Sequence, residues 1–103
     1  MKYLFHPDAE NELNIAIDYY EECKKGLGIE FAKEIQKTIQ RIIQFPNAWH
    51  KFDKNPNISN QPIRRCLTNR FPFGIVYYQK EDSIIILAVM QLNREPNYWK
   101  NRV

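Results

Sequence analysis

The sequence predicts an α+β fold in which an N-terminal strand and an antiparallel two-helix hairpin precede an antiparallel β-meander and a short C-terminal helix. Three observations support this class. Apolar residues recur with helical spacing in the first half, strand-like apolar runs fill the second half, and short links join neighbouring elements of the same type. With 103 residues, of which 44% are hydrophobic, the chain is expected to form a single domain, 1–103, around one core.

The first half of the chain begins with a predicted strand and helix. Residues 2–6 alternate weakly between polar and apolar, as in a strand, and Pro7 suits the first position of a helix. This helix has one apolar stripe with i, i+3, i+4, i+7 spacing, made by Leu13, Ala16, Ile17 and Tyr20. We expect the lysines at 24–25 in its last turn and Gly26 as its C-terminal cap.

A second helix is predicted over 29–44, because apolar residues again form one stripe and Pro46 follows it. The stripe consists of Phe31, Ile35, Ile39, Ile42 and Ile43. The link at 26–28 is so short that the two helices should form an antiparallel hairpin. Residues 47–61 are polar and rich in Asn and Pro, which predicts a loop anchored by Trp49 and Phe52, with a short edge strand as an option.

Three further strands are predicted at 62–67, 73–80 and 83–92, with a tight turn at 81–82 between the last two. Residues 84–90 are an unbroken apolar run without alternation, so the last strand should be central and covered on both faces. Pro96 suits the start of a final short helix that carries Tyr98 and Trp99.

The composition excludes several classes of protein. The longest apolar run, 84–90, has seven residues, far short of the ~20 that a membrane-spanning helix needs. The N-terminus has no apolar signal-peptide region, which predicts a cytoplasmic protein without membrane association. Cys23 and Cys66 are far apart and belong to no Cys/His cluster, so we expect no metal site. The three glycines form no phosphate-binding loop, and no cofactor is expected.

The charge is unevenly distributed along the chain, although the net charge is only +3. Residues 1–50 contain six basic and eight acidic residues, a net charge of −2, whereas residues 51–103 contain nine basic and four acidic residues, a net charge of +5. The basic half could face an anionic partner, either a nucleic acid or an acidic peptide. An ordinary solvated surface explains the same distribution equally well.

Two adjacent arginines, Arg64 and Arg65, are the first candidate site residues. Neighbours on a strand point to opposite faces, and the phase of the apolar residues around them assigns Arg65 inward. An inward arginine requires a partner. This partner is either an internal carboxylate, from Glu95 or Asp53, or a phosphate or carboxylate of another molecule, which arginine binds with two hydrogen bonds. Arg70, in the next loop, could join the same patch.

Aromatic and basic residues form further candidates. Tyr77 and Tyr78 point to opposite sides of a strand, so one should pack in the core and the other could stack on a nucleic-acid base. A C-terminal set interleaves both types: Arg94, Tyr98, Trp99 and Arg102. It suits a binding surface, although Trp99 could equally fold back to cover the sheet. Acid–base chemistry on RNA could come from the predicted loop, through His50, Lys51 and Lys54, but loop lysines are usually only solvated.

The C-terminal half resembles the RelE/ParE superfamily of toxins from bacterial type II toxin–antitoxin modules. The most specific residues are Arg64, Arg65, Leu67, Phe71, Pro72, Phe73, Ile75 and Tyr77, joined to Arg94, Pro96, Tyr98 and Trp99. The N-terminal strand and the helical hairpin extend the resemblance over most of the chain. It implies a growth-inhibiting toxin of a plasmid-stabilisation-like system, neutralised by a cognate antitoxin with which it could form a hetero-oligomer.

Toxins of this superfamily follow two routes. RelE-type members enter the ribosome and cleave mRNA, whereas ParE-type members poison DNA gyrase. Relatives that cleave RNA carry an arginine where this chain has Gly74, and often a histidine where it has Gln91. The resemblance therefore favours a ParE-like toxin that binds gyrase. A ribosome-dependent mRNA endoribonuclease of RelE type, an mRNA interferase, is the alternative, and a degenerate toxin that retains only antitoxin binding is a third hypothesis.

The resemblance also suggests roles for the candidate residues. In a ribonuclease, Arg64 or Arg65 would stabilise the phosphate charge and Tyr98 would move protons, so these three are the candidate catalytic residues. The candidate partner-binding residues are Arg64, Arg65, Arg70, Tyr78, Arg94, Trp99 and Arg102. An acidic antitoxin segment would be attracted to the basic C-terminal half.

Overall fold

The computed structural model of the chain describes residues 1–52, 62–95 and 97–102. Its elements follow the predicted order, and the α+β class is confirmed. In chain order they are β1 (Lys2–Phe5), α1 (Pro7–Cys23), α2 (Leu27–Gln44), β2 (His50–Lys51), β3 (Arg64–Leu67), β4 (Phe73–Lys80), β5 (Ser83–Gln91) and a 3-10 turn (Lys100–Arg102). None of the helices in these residues is long and apolar enough to cross a membrane.

The five strands form one mixed sheet in the order β1-β5-β4-β3-β2. The predicted meander is confirmed, because β3, β4 and β5 pair antiparallel with their neighbours. β2 is the short edge strand that was one option for the loop, and it pairs with β3. β1 pairs in parallel with β5, from Lys2 opposite Ser83 to Phe5 opposite Ile86. β5 therefore lies inside the sheet, as predicted.

A β-bulge shapes β5 in addition to its burial on both faces. Val76 pairs with Ala88 and Tyr77 pairs with Ile86, so Leu87 is an extra residue on β5. The bulge changes which residues face the helices. Ile84 and Ile86 before it and Val89 after it pack in one hydrophobic cluster. Leu87, Ala88 and Met90 pack instead in a second cluster, together with Ile63, Val76 and Trp99. The lack of alternation in the sequence thus has two causes, central position and a change of phase.

The sheet divides the expected single core into two. α1 and α2 cover one face, where Phe31 and Ile35 pack against strand residues such as Ile75. The C-terminal segment covers the opposite face, where Trp99 is only 1% exposed and its ring lies 5.2 Å from that of Phe52. The predicted alternative in which Trp99 folds back onto the sheet therefore describes its position.

The link between α1 and α2 differs from the prediction. α1 ends at Cys23, so the lysines at 24–25 follow the helix instead of forming its last turn. Gly26, with φ of 89°, is the N-terminal cap of α2 and not the C-terminal cap of α1. The Glu21 carboxylate explains this arrangement, because it accepts hydrogen bonds from the backbone N–H groups of Gly26 (3.0 Å) and Gly28 (3.1 Å). α2 consequently begins before its predicted start.

The C-terminal segment is less helical than predicted. Only Lys100–Arg102 forms a turn of 3-10 helix. Pro96, the predicted helix start, lies outside the described residues, as do residues 53–61 of the predicted loop. A segment this short gains little from helical hydrogen bonds. Its conformation follows instead from the burial of Trp99 in the second cluster.

Gly28→Ala should destabilise the helical hairpin. A Cβ at this position would lie 2.6 Å from the Ile17 carbonyl oxygen and 3.0 Å from the Glu21 Cβ, so the helices would have to separate. We expect the free energy of unfolding to fall by ~1–3 kcal/mol, measured by urea denaturation. Lys33→Ala, at an exposed position of α2, is the matched control. Equal stability of the two variants would contradict the close approach.

Candidate functional site

The candidate site lies where β5 continues past the end of β1. Pairing between these strands stops at Ile86, although β5 extends further. Side chains bind the backbone beyond this point: the Leu87 carbonyl oxygen accepts a hydrogen bond from Arg102 Nη1 (2.9 Å), and the Val89 N–H donates one to Glu12 Oε1 (3.0 Å). α1 and the C-terminal segment thereby satisfy backbone groups that a neighbouring strand would otherwise bind.

Glu12 and Arg102 form a bidentate charge pair. Arg102 Nη1 lies 2.9 Å from Glu12 Oε1, and Arg102 Nη2 lies 3.0 Å from Glu12 Oε2. The two side chains are only 14% and 13% exposed, and the hydrogen bond to Glu12 raises the pKa of the Arg102 guanidinium. Removal of one partner would leave a largely buried charge, which typically costs ~3–5 kcal/mol. The pair therefore fixes the C-terminal segment against α1.

Arg94 and Tyr98 lie beside this pair. The guanidinium carbon of Arg94 is 3.8 Å from the centroid of the Tyr98 ring, and that of Arg102 is 5.0 Å from the same ring. Burial raises the pKa of the Tyr98 hydroxyl, and the neighbouring Glu12 carboxylate raises it further. This hydroxyl is buried without a hydrogen-bond partner among the described residues. Tyr98 thus serves as an aromatic surface for two arginines.

A groove of about 390 Å³ opens between α1 and the end of β5. We call it the α1–β5 groove; it is lined by Glu12, Ile15, Ala16, Tyr19, Tyr20, Phe73, Val89, Gln91, Arg94 and Tyr98. Ile15 and Tyr19 are each 60% exposed, and the Arg94 side chain is 53% exposed. Exposed apolar and aromatic side chains around a concave surface, with a cation among them, are typical of a site that binds another molecule.

The structure places Arg64 and Arg65 on opposite faces of β3, as predicted. Arg64 Nη1 donates a hydrogen bond to the Trp49 carbonyl oxygen (3.0 Å). Arg65 passes over Gly74, where an added Cβ would lie 3.1 Å from Arg65 Cγ, and its guanidinium carbon is 5.8 Å from the Phe52 ring centroid. Its Nε is buried without a hydrogen-bond partner among the described residues.

Of the two carboxylates predicted as partners of Arg65, only Glu95 lies within the described residues. Glu95 is exposed and forms no ion pair within the described ranges, whereas Asp53 lies outside the described residues. The aliphatic part of the Arg65 side chain packs directly on Gly74. A larger residue at position 74 would collide with it, so glycine at this position has a packing role. Arg65 is held by a neighbouring strand and an aromatic ring.

Three other predicted residues lie outside the α1–β5 groove. Arg70 Nη2 forms an exposed ion pair with Glu30 Oε1 (2.9 Å) and lies over the Phe71 ring. Tyr78 is half-buried at the second cluster, and Trp99 is buried within it. The structure therefore brings together only Arg94, Tyr98 and Arg102 of the predicted set, and adds Glu12 as their common neighbour.

The α1 side of this groove was not predicted from the sequence. Glu12, Ile15 and Tyr19 do not belong to the predicted apolar stripe of α1, and none of them is among the predicted site residues. One signal was present: Ile15 and Tyr19 are an apolar pair at i, i+4 spacing that is displaced from the core stripe. Such a pair on an otherwise polar helix flank indicates a second contact surface.

The central strands offer little acid–base chemistry. β5 contains no ionisable side chain. On β4, Tyr77 donates a hydrogen bond to the Pro46 carbonyl oxygen (2.7 Å), and burial raises the pKa of its hydroxyl. In the described part of the chain, no group of three or more His, Cys, Asp or Glu side chains is placed to hold a metal ion.

Comparisons with known proteins connect this fold to a family. Residues 3–96 match the sequence model of the family described as ParE toxin of type II toxin–antitoxin system, parDE. The chain is also similar to a solved structure from the chromosomal ParDE TA system of P. aeruginosa, with a TM-score of 0.75 and 18% identity over 90% of this chain and 97% of that chain. No curated protein sequence matches it significantly. At this identity the structural likeness supports the fold alone.

The wild-type chain should lose stability at high pH through Tyr98, and the variant Tyr98→Phe should lack this contribution. Because the pKa of this hydroxyl is raised above 10.0 in the folded protein, the unfolded chain releases its proton first, and stability falls as the pH rises above about 10. The wild-type slope should exceed that of the variant by up to ~1.4 kcal/mol per pH unit. Urea denaturation below and above this pH measures both slopes, and identical slopes would contradict the burial of the hydroxyl.

Proposed function

The chain belongs to the family of ParE toxins of type II toxin–antitoxin systems, and we propose that it inhibits bacterial growth in the cytoplasm by binding DNA gyrase. The observation that carries this proposal is the family match, which covers residues 3–96. The gyrase target is what the resemblance to ParE-type toxins implies. A toxin of this kind acts by binding its target, so it requires a complementary surface and no acid–base machinery.

The side chains of the sheet support binding over cleavage. The candidate catalytic residues Arg64 and Arg65 lie on opposite faces of β3, so at most one of them can contact a given phosphate, and Arg64 already donates a hydrogen bond to the Trp49 carbonyl oxygen. The raised pKa of Tyr98 makes its hydroxyl a poor group for moving protons near neutral pH. The positions that are basic in RNA-cleaving relatives are Gly74 and Gln91. These features disfavour the RelE-type reaction.

A cognate antitoxin is the second partner that we propose, and the α1–β5 groove is its docking site. The groove presents apolar side chains, of which Ile15 and Tyr19 are the most exposed, and a cation, Arg94. An amphipathic segment that carries acidic residues would complement both features. The other candidate partner-binding residues, Arg64, Arg65, Arg70, Tyr78 and Trp99, lie outside the groove.

The purified chain should inhibit DNA supercoiling by gyrase and leave ribosome-bound mRNA intact. The two assays are supercoiling of relaxed plasmid and mapping of mRNA ends on translating ribosomes. Addition of the antitoxin should restore supercoiling, which provides the control for nonspecific inhibition. Unaffected supercoiling with cleaved mRNA would instead support the RelE-type alternative and restore Arg64, Arg65 and Tyr98 as catalytic candidates. Absence of both effects would support a degenerate toxin.

Ile15→Glu should weaken antitoxin binding without unfolding the chain. Ile15 is exposed and lines the groove, so a carboxylate there would remove apolar contact and repel acidic residues of the partner. We expect a loss of about tenfold or more in affinity, measured by isothermal titration calorimetry with the antitoxin that the neighbouring gene encodes. Ile29→Glu is the matched control, because Ile29 is 61% exposed on α2 and does not line the groove. Equal affinities would contradict the assigned surface.

A further inference from the structure

The Glu12 carboxylate is occupied on both oxygens by groups other than Arg94. Oε1 accepts hydrogen bonds from the Val89 N–H (3.0 Å) and Arg102 Nη1 (2.9 Å), and Oε2 accepts one from Arg102 Nη2 (3.0 Å). Arg94 Nη1 remains 3.9 Å from Oε2, too far for a hydrogen bond. Arg94 forms no other ion pair with a described residue.

Arg94 is nevertheless held in place. Its guanidinium lies over the Tyr98 ring at 3.8 Å, and the backbone N–H of Arg94 donates a hydrogen bond to the Gln91 carbonyl oxygen (3.1 Å). A guanidinium fixed on an aromatic face loses little freedom when it binds an anion, and its donors match the two oxygens of a carboxylate. Beside it, the groove is lined by apolar side chains such as Ile15.

We propose that Arg94 binds a carboxylate of the partner segment in the α1–β5 groove, and that Arg102 is a positioning residue which keeps Arg94 available. Arg102 does so by holding Glu12 on the backbone of β5. The ligand is an acidic side chain next to an apolar one, in a peptide. This inference rests on the proposed antitoxin site and adds the chemistry by which that site recognises its partner.

Without Arg102, the Glu12 carboxylate should therefore compete with the partner for Arg94. Glu12 would retain its hydrogen bond from Val89 and the neighbouring Tyr98 hydroxyl, and Arg94, a cation that is already 3.9 Å from Oε2, would be free to approach it. The freed carboxylate would pair with Arg94 and compete with the carboxylate of the partner. A residue that does not line the groove would in this way control its affinity for an acidic ligand.

The test uses two synthetic probes, the blocked tripeptide acetyl-Leu-Asp-Leu-amide and its Asn analogue. Binding to the full-length, isotopically labelled chain is followed by NMR, through the Arg94 side-chain N–H and the Ile15 methyl signals. The wild-type chain should prefer the Asp probe by about tenfold. Arg94→Gln and Arg102→Gln should each remove this preference. Lys37→Gln, an exposed change of equal charge on α2, should leave it intact.

The double variant Glu12→Gln/Arg102→Gln separates positioning from general support of the fold. Its net charge equals that of the wild type, and the neutral amide cannot compete for Arg94, so the preference should return. If Arg102→Gln does not fold, Glu12→Gln alone decides, because it should retain the preference although the charge pair is broken. A double variant or a Glu12→Gln variant without preference, or an Arg102→Gln variant with full preference, would overturn the inference. Gyrase inhibition is measured in a separate assay. If the chain does not inhibit gyrase, the peptide-binding results still test the roles of Arg94 and Arg102.

Discussion

β5 extends beyond the last residue that pairs with β1, and Glu12 and Arg102 bind the backbone groups of that extension. An open strand edge exposes unpaired N–H and C=O groups, which invite pairing with another chain. Here a carboxylate from α1 and a guanidinium from the C-terminal turn bind Val89 and Leu87. The same two side chains bind each other, so one interaction ties together the helical hairpin, the central strand and the end of the chain.

Other features of the fold follow from this connection. Fixing Arg102 at the edge of β5 holds the C-terminal segment close to the sheet, and Trp99 within that segment packs in the second cluster. The bulge at Leu87 has a matching consequence, because it directs Leu87 and Ala88 toward the second cluster and returns Val89 to the helical face. The end of β5 thereby contributes to both cores and to the α1–β5 groove.

Local patterns in the sequence predicted the helices, the β-meander and the burial of β5, because periodic burial leaves a periodic trace in the chain. The same patterns could not predict the bulge, since an unbroken apolar run is compatible with either phase. They also could not pair Glu12 with Arg102, which are 90 residues apart. The predicted role of Gly26 was wrong for a related reason, because the Glu21 side chain reaches the backbone of Gly26 and Gly28 from the preceding helix. The candidate site was therefore half predicted, from its arginines and Tyr98 but without α1.

The fold brings the acidic N-terminal half of the chain into contact with the basic C-terminal half. Ion pairs join the acidic N-terminal half to the basic C-terminal half: Glu30 binds Arg70, and Glu12 and Asp8 lie beside Arg102. Part of the positive charge of the C-terminal half is thus paired within the molecule, and the uneven charge distribution alone is a weak argument for an anionic partner. Arg94 is different, because its nearest carboxylate already binds Arg102 and β5. Attraction for an acidic partner is therefore expected at one oriented guanidinium beside an apolar groove, where it confers specificity as well as affinity.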